Sequence, residues 1–160
     1  MSDAEPEATC PSSSCSPGHL LLGIVRPDGT LAALRPPPAV DAAFVERATA
    51  AGSRPPEARF RFAGPCVTGA CHHWSDQRCR LGDAVARAAP LDADDAPPPP
   101  CAIRSTCRWW SQTGRAACRV CPRVVHTPAP APAGTRTLAD GPHPTADDSH
   151  PAADGPRPPA

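Results

Sequence analysis

Two apolar runs, LLGIV and TLAAL, flank the tetrapeptide RPDG near the start of the chain. Pro27 presets the first turn angle, Asp28 can bond its local backbone, and Gly29 accepts a positive φ, so the spacing predicts a β-hairpin with strands at 20–26 and 30–34. The segment PPPAVDAAFVERATAAG then places prolines before, and Gly52 after, a stretch in which Val40, Phe44, Ala48 and Ala51 share one helical face. That periodicity predicts a helix over 39–51. ARFRF alternates arginine with Phe60 and Phe62, the pattern of a strand buried on one side, and it joins the hairpin as a third strand. The strand runs straight into GPC, so residues 19–65 form a small platform that delivers Cys66 at its edge. The expected fold is a small α+β protein. A hairpin or three-stranded sheet with one helix is followed by a short-helix, loop-rich cysteine region stabilised by metal.

Beyond the platform the pattern gives a first cysteine module at 66–90, an acidic, proline-rich linker at 91–100 and a second cysteine module at 101–125. Residues 1–18 are acidic and rich in serine and proline. Residues 126–160 hold almost no bulky apolar side chain to offset the entropy of ordering them. Both ends are expected to be disordered tails, with Cys10 and Cys15 as free surface thiols and His143 and His150 solvated.

Composition changes how the charge is read. The chain lacks lysine, asparagine and tyrosine, and all 16 basic residues are arginine. Those missing residues have A/T-rich codons, so a GC-rich genome explains the arginine, alanine and proline, and abundance alone signals neither nucleic-acid binding nor disorder. Position is more informative than amount: residues 54–123 carry eleven arginines against six acids, although the whole chain is neutral. A basic region of this kind can offset an anionic group bound within it. No apolar run reaches the length of a membrane span, and the acidic MSDAEPEATC start lacks the positive segment of a secretory signal. A cytoplasmic location is expected. In that compartment thiols stay reduced, so nine cysteines point to metal or catalysis rather than to a disulfide framework.

Seven cysteines fall in the two modules. CVTGACHHWSDQRC and CAIRSTCRWWSQTGRAAC share an order in which Cys71 matches Cys107, Trp74 matches Trp110 and Ser75 matches Ser111, which reads as an internal repeat. Metal sites commonly take four protein ligands. Cys101, Cys107, Cys118 and Cys121 close such a set; Cys66, Cys71 and Cys79 need a fourth ligand, for which His72 or His73 is the local candidate. An open position or a ligand shared between modules stays possible on this reading. Structural zinc sites draw on short pairs, and only Cys118-x2-Cys121 has that form, whereas the wider spacings suit a polynuclear cluster. Proline after the last cysteine also ends ferredoxin cluster runs. The preferred cofactor is therefore an iron–sulfur cluster of the [4Fe-4S] type on thiolates, with zinc as the alternative. Arg104, Arg108, Arg115, Arg119 and Arg123 supply compensating charge, and the tryptophans supply shielding or plain core. A metal would also steady a chain with only three tryptophans, three phenylalanines and one methionine to build a core.

The pattern GPC-x4-C-x2-W-x4-C followed by C-x-IR-x2-CRWW-x-Q-x-G-x2-AC-x2-CP-x-VV resembles a family of uncharacterised cysteine-rich bacterial proteins. The resemblance covers about residues 60–125, names no reaction, and implies only that these cysteines act as a set. Two function classes follow from the residues. One is an iron–sulfur protein serving electron transfer, redox sensing or a partner enzyme; the other is a zinc-stabilised module that binds protein or nucleic acid. A protein partner is the stronger expectation and nucleic acid the weaker. The sequence presents no catalytic constellation, no membrane partner and no identifiable small-molecule substrate.

Overall fold

The computed structural model describes residues 7–90 and 97–126, so the 126–160 tail beyond its first residue, the first part of the 91–100 linker and residues 1–6 lie outside it. It is an α+β fold. A four-stranded antiparallel sheet has the order β1-β4-β2-β3, built from Thr9–Ser13, Phe60–Pro65, Leu20–Val25 and Leu31–Ala33 respectively. The hairpin forms where expected: Gly29 has φ +80°, Arg26 N donates to Thr30 O at 2.8 Å, and Asp28 Oδ1 accepts from Thr30 N at 2.9 Å. Its strands are a residue or two shorter than the pattern suggested. β4 pairs with β2, as the alternating ARFRF required.

Helix α1 spans Ala42–Ala50, with Asp41 as its cap through an Oδ1 bond from Phe44 N at 2.6 Å. It starts three residues later than the apolar periodicity implied. Pro38 O accepts from Leu21 N and Val40 N donates to His19 O, so residues 38–40 run extended beside β2 before the helix can begin. Val40 is still buried, together with Leu21 and Phe62, and Phe44 and Phe60 pack against them under α1. Phe44 meets Phe60 and Phe62 edge-on, at ring-centroid distances of 5.6 and 6.2 Å.

The other sheet face carries a second core. Ala63, Leu20 and Leu22 meet Val85, Ile103, Trp109 and Ala117 from α2 (Arg80–Arg87), α3 (Arg108–Thr113), α4 (Arg115–Val120) and the segment before α3. Both expected cysteine modules thus share one core with the platform.

Two expectations are corrected. Residues 9–13 are not part of a disordered tail: they form β1, paired as Thr9↔Pro65 and Cys10↔Gly64, with Thr9 N also donating to Thr106 O at 2.8 Å. Small residues suffice there because the strand is held by backbone bonds and by a fit beneath other elements. Pro11 sits fully buried at a register shift, where its missing N–H costs no ladder bond. The internal repeat is also absent from the structure. Trp74–Ser75 (β5) pairs with Arg78–Cys79 (β6) across a turn with positive φ at Asp76 and Gln77, whereas Trp110 and Ser111 lie in helix α3. Among the described residues no helix is long and apolar enough to cross a membrane.

Candidate metal centre

Cys101, Cys107, Cys118 and Cys121 all line one cavity, with Trp109 and Arg104 among its walls. It encloses about 60 Å³, against the roughly 10–15 Å³ that one water needs. Different elements supply the four thiols. Cys107 is the residue before α3, Cys118 lies on α4, Cys121 follows α4 directly, and Cys101 belongs to the irregular segment between the linker and α3. All nine cysteines are free.

Burial favours the neutral thiol at Cys107, Cys118 and Cys121. The Cys107 thiol is pushed up to about 11, chiefly by desolvation. Cys118 and Cys121 are raised for the same reason, partly opposed by Arg104 and Arg61. A coordinated metal reverses that preference, because it binds the thiolate and releases the proton.

Cys66, Cys71 and Cys79 line a second, more open cavity of about 460 Å³. Cys66 follows β4, Cys71 closes a single 3-10 turn at Thr68–Ala70, and Cys79 ends β6, with its Sγ accepting from Gly82 N at 3.4 Å. His72 and His73 line the same cavity, with ring centroids 3.8 Å apart, and burial beside His72 lowers the His73 pKa. Cys10, from β1, also lines it. Trp109 belongs to the walls of both cavities and is 1% exposed.

Charge around the thiols comes from a residue that the alternation pattern hides. Arg61 projects from β4 onto the cysteine side of the sheet and is 3% exposed. Its guanidinium donates to Pro11 O, to Val124 O and, through Nη2, to Cys121 Sγ at 3.3 Å. Among the described residues the carboxylate–arginine ion pairs are Arg78–Asp83 and Arg80–Asp76, so Arg61 has no carboxylate partner there. Arg104 stacks on Trp110 at 5.1 Å and Arg108 on Trp74 at 5.2 Å. Several buried donors lack an acceptor among the described residues, including Trp109 Nε1, Arg104 Nε and Arg108 Nε, and all three residues line a cysteine cavity.

Comparison with protein-family models, with curated proteins and with solved structures finds no match. Among the described residues no three His, Cys, Asp or Glu side chains converge as a single bound ion would require. The thiols are instead spread around cavity walls. The sequence reading placed Cys10 in a tail because its neighbours are small and polar, whereas it lines the cavity of Cys66, Cys71 and Cys79, and it placed Arg61 on a solvated face because of strand alternation, whereas Arg61 is buried.

Proposed function

We propose that the protein binds metal and carries an iron–sulfur cluster of the [4Fe-4S] type on Cys101, Cys107, Cys118 and Cys121. Its role in this reading is electron transfer, redox sensing or service to a partner enzyme in the cytoplasm, with another protein as the partner. Arg61 is the observation that carries the reading. A buried guanidinium without a counter-charge costs several kcal/mol, and this one points at a ligand sulfur of the four-cysteine cavity. An anionic tetrathiolate centre at that place supplies the missing charge and offers a sulfur acceptor to Arg104 Nε.

The competing reading is a zinc-stabilised module that binds protein or nucleic acid, favoured by the short Cys118-x2-Cys121 pair. Spacing and spread favour the cluster. The other cysteines are widely separated in sequence, and the four thiols come from different elements around one cavity. Purification without oxygen, followed by a visible spectrum and assays of iron, sulfide and zinc, separates the two. A brown protein with iron and sulfide in equal amounts is expected, and Cys118→Ser should lose the iron held by Cys101, Cys107, Cys118 and Cys121; a colourless protein with stoichiometric zinc rejects the cluster.

A further inference from the structure

We propose that Cys10 joins Cys66, Cys71 and Cys79 as the fourth thiolate of a second metal cluster, so that the protein carries two four-cysteine sites and Cys15 belongs to neither. The inference rests on the reading of Cys101, Cys107, Cys118 and Cys121 as cluster ligands, and extends it to the other cavity.

Backbone pairing brings the four residues together. β1 is locked to β4 through Cys10↔Gly64, and Cys66 N donates to Ala8 O at 2.7 Å, which fixes Cys10 and Cys66 at the same end of the sheet. Cys79 reaches that end from β6, and Cys71 from the turn that leads into β5. All four line one cavity. Cys15 lies elsewhere, packed against the Leu21–Val40–Phe62 core on the opposite face of the sheet.

Charge separates Cys10 from the histidines as the fourth ligand. Arg108 lines this cavity, lies over the Trp74 ring, and has no carboxylate partner among the described residues; its Nε is buried without an acceptor. Trp109 Nε1 is a second buried donor without an acceptor in the same wall. A fourth thiolate adds negative charge and a sulfur acceptor where these donors lie, whereas a neutral imidazole from His72 or His73 adds neither. Trp109 thus stands between two equivalent thiolate sites.

Full-length protein loaded anaerobically with ferric iron, sulfide and excess dithiothreitol as reductant tests the inference. Wild type is expected to hold two clusters' worth of iron. Cys10→Ser and Cys118→Ser should each lower the iron about twofold, the double variant should abolish it, and Cys15→Ser and His72→Ala/His73→Ala should leave it unchanged. Alkylation mapped by mass spectrometry gives a readout on unsubstituted protein, which stays decisive where Cys10→Ser fails to fold: Cys10 should be protected when metal is bound and react after chelation, while Cys15 reacts alike in both states. Full iron in Cys10→Ser, or metal-independent labelling of Cys10, overturns the second site and leaves the proposed function standing if Cys118→Ser still loses iron. Loss of half the iron in the double histidine variant, with Cys10→Ser normal, assigns the fourth position to histidine and likewise overturns it. A wild-type protein that takes up no metal overturns both.

Discussion

Arg61→Met removes a buried positive charge while keeping most of the side-chain volume, and the geometry sets its effect on the reduction potential of the proposed cluster. Arg61 Nη2 lies 3.3 Å from Cys121 Sγ, and the residue is 3% exposed, so solvent screens the interaction weakly. Two unit charges 4 Å apart interact by about 4 kcal/mol at an effective dielectric of about 20. The electron added on reduction spreads over the whole cluster instead of resting on the nearest sulfur, so about half of that, ~2 kcal/mol, is the appropriate figure. For a one-electron couple 1.4 kcal/mol corresponds to about 59 mV, which makes the expected shift about 80 mV. The sign follows from which state the charge favours: Arg61 stabilises the more negative, reduced cluster, so its loss moves the potential to more negative values. Anaerobic spectroelectrochemical titration measures this, with the oxidised visible spectrum as the check that the cluster is still bound. Arg61→Lys is the companion variant. It keeps the charge but gives up the fork that holds Pro11 O and Val124 O, so it should lower stability and move the potential far less. Equal shifts in the two variants, or no shift in Arg61→Met with its spectrum intact, would refute the electrostatic account.

Three further outcomes are expected. A Cβ at Gly82 would stand 2.8 Å from Trp109 Cδ1, and Trp109 is too enclosed to swing away; Gly82→Ala should therefore cost about 1–3 kcal/mol in urea unfolding, despite the better helix propensity of alanine. A more stable variant would show that the contact relaxes freely. Arg78 and Gln112 hold the Asp83 carboxyl down at about 2, against an ordinary 3.8. Because the folded-state value is the lower one, the stability Asp83 contributes is complete above about pH 4 and is lost as the pH falls toward 2. The gap in urea midpoint between wild type and Asp83→Asn should close over that window, and a gap independent of pH would contradict the linkage. Finally, Trp74, Trp109 and Trp110 all pack in or against the cysteine-side core, whereas Phe44, Phe60 and Phe62 lie under α1. Chelation should red-shift tryptophan emission strongly and lower helical circular dichroism. Unchanged emission after complete metal removal would exclude a structural role for the metal.

Much of the platform could be read from its letters, because its signals are local. The RPDG turn and the Phe60/Phe62 alternation specify conformations through neighbours a few residues away. The helix start went astray because residues 38–40 satisfy their backbone groups against β2, a partner that periodicity within the segment cannot reveal. Arg61 was hidden by the same alternation that found β4. Period-2 patterning implies a solvated outer face, but here that face is roofed by α3 and α4, and the arginine is enclosed with the cysteines. β1 was invisible because TCPSS has little strand propensity and owes its order to pairing with Pro65 and Gly64. The apparent repeat misled because shared residue order does not specify shared backbone: Asp76 and Gln77 adopt a tight hairpin turn, while the matching stretch after Trp110 continues as helix.

The seating of β1 also bears on how the chain comes together in time. Thr9 bonds Thr106, 97 residues further along, and its strand partner Pro65 lies beyond the whole hairpin and α1. Contacts of such separation carry the loop-closure entropy of everything between them and form late. The platform hairpin and α1 can form while later residues are still being made; β1 lacks its strand partner until β4 emerges, and has only half its setting until residue 106 follows. Metal capture by the proposed set that includes Cys10 would thereby wait for the segment around Thr106, and a protein truncated before α3 would keep its hairpin yet leave β1 without its second anchor.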